Sequence, residues 1–195
     1  GLILDFREGG KEGLSIFDNI EYPGTAILLG RPKNGEELPG KNAGISSLKD
    51  VGNSANLAKA ARKKGGLVGI HHSENEREDI DALINLAPDF VVHMCHASDD
   101  DLEKVKDAGI SVVVCPRSNK YFGNKPPLEK MIDLEMDIGF GTDNGMLCSA
   151  NMFDEIRFIK ENFDSLSRRS ILKIACFGLN DMFNKDGTST YSNLE

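Results

Sequence analysis

Short apolar runs recur through this chain at intervals of roughly 20–25 residues, the length of one β-loop-α-loop unit. They predict strands at Leu2–Phe6, Thr25–Leu29, Ala43–Ser46, Leu67–Ile70, Phe90–His93, Ser111–Cys115 and Asp137–Gly141. Short apolar runs of this kind read as parallel strands buried on both faces. Amphipathic helices fill the intervals. Asn53 predicts the cap of a helix through Leu57, Ala60 and Ala61 that ends at Gly65-Gly66. Ser98 caps a second, with Leu102 and Val105 on one face and Gly109 beyond its end. Pro126-Pro127 opens a third, with Leu128, Met131 and Ile132 toward the core. Asn151 to Phe163 carries Met152, Phe153, Ile156 and Ile159 at helical spacing, and a last helix covers Ser167–Phe183. No repeat, low-complexity stretch or linker interrupts the alternation. The expectation is one α/β domain over residues 1–195, a TIM-type (β/α)8 barrel. It would be incomplete, since a full barrel takes about 250 residues.

Composition excludes several functions. The chain has 195 residues, 39% apolar and 28% charged, an ordinary globular balance. Its net charge of −8, with no Lys/Arg-rich block, argues against nucleic acid or an anionic membrane as partner. Apolar runs fall far short of the roughly 18 residues of a membrane span. The four cysteines lack CxxC spacing and read as reduced thiols of a cytoplasmic protein. The first residues, Gly1-Leu2-Ile3-Leu4-Asp5, carry no basic leader and begin inside a predicted strand, which suggests a truncated start. Leu194-Glu195 reads as a cloning remnant.

The chemistry-bearing residues gather at strand ends. All four histidines lie in His71-His72-Ser73-Glu74 and His93-Met94-Cys95-His96, and Gly141-Thr142-Asp143-Asn144 closes the last strand. Catalytic and metal-binding groups of parallel barrels sit at such carboxyl ends. Buried imidazoles and carboxylates are costly unless paired or metal-bound, so their clustering needs a cause. His71 is a candidate metal ligand, with Glu74 three residues on as a proton shuttle. Glu74 equally suits the acidic start of the following helix, beside Glu76, Glu78 and Asp79. His72 should point away from His71 by the strand pleat, which makes it structural. His93 is a metal ligand or a hydrogen-bond donor to substrate or water, although a lone buried histidine is more often structural. Asp143 is a candidate ligand and general base, or a turn residue. Gly139 and Gly141 mark a close approach on the last strand. Arg7 and Arg31, after the first two strands, could hold a substrate carboxylate or phosphate but read better as solvated loop residues or as ion-pair partners of Glu8 or Asp5.

These pieces resemble the amidohydrolase superfamily, in the branch of cytosine and guanine aminohydrolases and of chlorohydrolases. That family carries His-x-x-Glu, a further His and Gly-Thr-Asp after its fifth, sixth and eighth strands, and all three occur here in order. Cys115-Pro116-Arg117-Ser118-Asn119 is similar to its segment after strand seven, and Leu2-Ile3-Leu4-Asp5-Phe6 to its second strand. The resemblance implies a metal-dependent hydrolase of C–N bonds that deaminates an aminated heterocycle or, as a runner-up, opens a cyclic amide. It implies one divalent ion, zinc or iron, held by His71, Asp143 and His93. It assigns Glu74, His93 and Asp143 to catalysis, and Arg117 and Asn119 to contact with a small-molecule substrate.

The departures bear on activity. The family's His-x-His of strand one occurs nowhere in this sequence, and neither half of its accessory β-sandwich is visible. A zinc site takes about three protein ligands. The chain by itself is therefore expected to bind metal weakly or not at all and to be inactive. The open sheet edges would be closed by further chain, by a homo-oligomer or by a swapped dimer. A non-catalytic scaffold is the rival reading. A hydrolase using Cys95 or Cys115 as nucleophile is a third, although both read better as buried strand cysteines.

Overall fold

One parallel strand stands at each predicted apolar run, and the strands lie side by side in chain order. The computed structural model describes residues 2–33, 36–49 and 54–183. Its strands are β1 (Leu2–Arg7), β2 (Thr25–Gly30), β3 (Asn42–Ile45), β4 (Val68–His72), β5 (Phe90–His93), β6 (Ser111–Val114) and β7 (Ile138–Phe140). All six neighbouring pairs are parallel, and the single sheet runs β1 to β7 without a crossover out of order. The sheet curls into an open (β/α) half-barrel, an incomplete TIM barrel. The described residues form no second sheet.

The helices are α1 (Gly10–Ser15), α2 (Ser54–Lys63), α3 (Ile80–Leu86), α4 (Asp99–Asp107), α5 (Pro116–Tyr121), α6 (Leu128–Asp133), α7 (Met152–Asn162), α8 (Arg168–Lys173) and α9 (Leu179–Phe183). Among the described residues, no helix is long and apolar enough to cross a membrane. Ser98 caps α4 through a reciprocal bond with Asp101, which also takes both arms of the Arg77 guanidinium at 2.7 and 2.8 Å. Asn151 caps α7 as expected. Asn53, the expected cap of α2, lies outside the described residues, as do Gly1, Leu194 and Glu195.

Alternation along each strand sorts two cores. Val68, Ile70, Val91, Val112, Val114, Ile138 and Phe140 face the helices, where they meet Leu57, Leu83, Leu102, Leu128 and Ile159. The opposite, concave face carries Leu29, Phe90, Val92, Val113 and Cys115. Every one of these side chains is at least nine-tenths buried, and each such burial contributes about 1.5–3 kcal/mol. The chain's last described helix, α9, lays Leu179, Met182 and Phe183 onto the same concave face. Gly139 of β7 makes room for it: a Cβ there would stand 2.6 Å from Leu179 Cδ2.

Three expectations need correction. The helix expected over Ser167–Phe183 is present, but it widens into a π turn at Ile174–Gly178, where Gly178 rides directly on Ile138 O. On α7, Phe153 points to solvent, 78% exposed, while Glu155 takes a fully buried position beside Ile159. The Pro116–Tyr121 segment, which carries none of the expected helices, is helical, with Pro116 in its first turn.

Candidate active site

The carboxyl ends of β4 to β7 carry the candidate site. β4 runs two residues further than its apolar run suggests, so His71 and His72 are both in register with β5. The pleat then separates them. His71 joins the concave face, its ring 4.6 Å from that of Phe6. His72 is fully buried on the other face, with Nδ1 at 2.9 Å from Ser73 Oγ and Nε2 at 3.3 Å from Asp79 O. Burial lowers its pKa, and it serves structure.

His93 breaks the rule. Its register partner is His72, so a regular pleat would send both outward. A φ of +80° turns the chain at His93 instead, and its ring meets that of His71 at 5.0 Å. Left-handed backbone at a non-glycine residue costs on the order of 1–3 kcal/mol and gathers at functional sites. Ser73, Met94 and Asp143 share it, at φ 49°, 56° and 55°. The other two non-glycine cases, Ala87 and Glu135, follow the ends of α3 and α6.

Glu74 stands beside these rings, with Oε1 at 3.7 Å from His93 Nε2. One ligand atom each from His71, Glu74 and His93 falls within 4.8 Å of the others. Two imidazoles and a carboxylate suit a divalent ion of borderline softness such as zinc or iron. Burial, and next to it the neighbouring His71, holds the His93 pKa down to about 4, so the ring is neutral. Burial, reinforced by Asp143 and Glu78, raises the Glu74 carboxyl. A carboxyl whose pKa is raised holds a proton more readily than a free one, which suits a group that takes and gives protons. A cavity of about 220 Å³ opens beside them, lined by Ser46, Ser47, Lys49, His71, Glu74 and Asn75 among others.

Asp143 lies outside that group of three, on an exposed turn, where it accepts a hydrogen bond from Ser118 Oγ. Asn119 is wholly buried, its amide 3.0 Å from His93 Nδ1. Arg117 points its guanidinium at Ser149, whose carbonyl and hydroxyl accept at 3.2 Å, and stands 3.8 Å from Glu155. Arg7 and Arg31 pair with Asp5 and Glu8 at 2.6 and 2.5 Å, as expected.

Two contributors escape sequence reasoning. Glu155 accepts a hydrogen bond from Arg117 N at 2.8 Å and thereby fixes the start of α5. Burial raises its carboxyl to about 7. Asn124 donates to Glu74 O at 2.9 Å and to Asn75 Oδ1 at 3.1 Å, and accepts from His96 Nε2. Nothing in the spacing of either residue announces these partners. A buried Glu within the apolar stripe of α7 is the one signal a sequence offers.

The thiols are unsuited to nucleophilic attack. Burial pushes Cys95 up to about 12 and Cys115 well above its ordinary value, so neither supplies thiolate near neutrality.

No family model matches the chain. A protein of Archaeoglobus fulgidus provisionally named an aminohydrolase is 37% identical over 162 residues, 80% of this chain and 48% of that protein. A 5-methylthioadenosine/S-adenosylhomocysteine deaminase of Caldanaerobacter subterraneus is 31% identical over 115 residues, 50% of this chain and 27% of its own length. Among solved structures, an adenine deaminase of Arthrobacter aurescens superposes with a TM-score of 0.64 at 15% identity, over 84% of this chain and 58% of that one. The chain spans about half the length of the relatives it matches over most of its own length.

Proposed function

The chain belongs to the amidohydrolase superfamily, and on that premise we propose that the whole protein is a metal-dependent hydrolase that deaminates an aminated heterocycle. The observation that carries the reading is the convergence of His71, Glu74 and His93 at two neighbouring strand ends, reached only because the backbone of His93 turns left-handed. A scaffold has no reason to hold that conformation.

The donors that converge, His71, Glu74 and His93, suit one divalent ion; Asp143 stands outside that group and enters as a ligand through the family resemblance. His71 and Asp143 would hold it, with His93 beside them. An ion held there supplies a Lewis acid that brings the pKa of site water toward neutrality. The chain's own groups handle the protons. Asp143, steadied by the Ser118 hydroxyl, accepts the proton of the attacking water as general base. Glu74, with its raised carboxyl, relays a proton to the departing amine. Its reach toward His93 Nε2 keeps that carboxyl at the rim of the cavity in which a small heterocycle would sit.

The test is ammonia release by the full-length protein from a panel of aminated purines, pyrimidines and triazines. The expected result is turnover of at least one member, lost by about a thousandfold or more in Glu74→Gln, the scale of a removed acid–base group combined with lost orientation. Turnover unchanged in Glu74→Gln contradicts the assigned role. No turnover of any member by protein with its metal bound contradicts deamination and favours the cyclic-amide alternative.

A further inference from the structure

The Asn119 amide has two ends, and the structure distinguishes their surroundings. Its nitrogen lies 3.0 Å from His93 Nδ1. Its oxygen is sealed from water without a hydrogen-bond partner. Turning the amide over would put an NH2 group, with two donors, where nothing accepts. A buried carbonyl without a partner is less costly than two stranded N–H donors. The amide N–H therefore donates, and Nδ1 of His93 receives it through its lone pair. A neutral imidazole with an acceptor at Nδ1 carries its proton on Nε2.

We propose that Asn119 is a positioning residue that locks His93 in the Nε2–H tautomer and aims that N–H at the Glu74 side of the cavity. The left-handed turn explains why a lock is needed. It takes the ring away from the face its register partner His72 occupies and sets it edge-on to His71, a ring contact that does not choose the tautomer. Asn119 supplies that restraint from the first turn of α5, and Glu155 in turn anchors α5 through Arg117 N.

The tautomer decides between the two roles open to His93. An Nε2–H has no lone pair to give an ion, so His93 serves the site as a hydrogen-bond donor. Holding an ion falls to His71 and the carboxylates. A fixed donor at that point favours substrates with a ring nitrogen or carbonyl oxygen on which negative charge grows during attack. This consequence rests on the hydrolase reading, whereas the tautomer rests on the packing alone.

The experiment is a long-range proton–nitrogen correlation on protein labelled with nitrogen-15 histidine, above the range in which free imidazole titrates. There are four histidines, and the signals missing in His93→Gln identify the ring of interest. The wild-type protein is expected to show the Nε2–H pattern for His93. Asn119→Asp, equal in size but only an acceptor, is expected to move the proton to Nδ1. Asn119→Leu is expected to give a mixture of tautomers. An Nδ1–H pattern in the wild type overturns the proposal, as does an unchanged pattern in both variants. Should Asn119→Leu fail to fold, the wild type and Asn119→Asp still decide. Ammonia release is measured separately, so loss of the hydrolase reading leaves the tautomer result standing.

Discussion

At Glu155 a carboxyl with no exposure sits beside Ile159, one oxygen on Arg117 N and the other without a hydrogen bond, 3.8 Å from the Arg117 guanidinium. Its folded-state pKa of about 7 stands above the ordinary 4.5, so the folded protein keeps a proton that the unfolded chain has released. Stability should therefore fall as pH rises from 4.5 to about 7 and level off above, by on the order of 3 kcal/mol. Urea unfolding across that range checks it, and Glu155→Gln should flatten this part of the profile. Asp101 acts in the opposite sense. The Arg77 guanidinium and the Ser98 backbone hold its carboxyl well below the usual carboxylate range. Asp101→Asn should lose about 1–2 kcal/mol, through the cap more than through the half-exposed Arg77. Asn124 is a third residue with reach: Asn124→Ala frees the backbone of Glu74 and should lower kcat/KM roughly tenfold with little change in unfolding midpoint. Of these, the sequence marked only the Ser98 cap; the partners of Glu155 and Asn124 were not legible in it. His71, Glu74, His93 and Asp143 were, because strand ends mark them. Glu155 and Asn124 meet partners 38 and 50 residues away, through side-chain geometry that no local pattern encodes.

The elements were legible for a different reason. From β3 to β7 the strands are buried on both faces and appear as bare apolar runs between turn residues, while β1 and most of β2 are only half-buried, and all seven were readable within two or three residues at each end. What the runs cannot encode is where the pleat fails. His93 belongs by sequence to a regular strand end, and only contact with α5 and β4 makes the left-handed turn worth its cost. Helix ends were readable where capping residues stand, at Ser98 and Asn151. The π turn between α8 and α9 was not, because its cause is tertiary. A Cβ on Gly178 would stand 2.2 Å from Ile138 O. Gly178→Ala should force α8 and α9 away from β7 and cost about 1–3 kcal/mol, read as a lowered thermal midpoint. The same substitution at Gly65 or Gly109 meets no atom within 4 Å and carries only the strain of its positive φ.

For the whole molecule, the half-barrel brings together groups that lie up to 72 residues apart, from His71 to Asp143, along one rim. The concave face beneath them is closed by Phe90, Val92 and α9, so the polar rim rests on an apolar floor. That arrangement raises Glu74 and keeps His93 neutral, the states a proton relay and an imidazole donor require. The central claim is that these strand ends form a metal-dependent hydrolytic centre. Plasma mass spectrometry of the full-length protein, purified without chelator, tests it most directly when His71→Ala and Asp143→Ala are measured beside it. The account predicts close to one zinc or iron per wild-type chain and a clear loss in each variant. A wild-type protein without metal at any loading, or variants that keep it undiminished, would contradict the account.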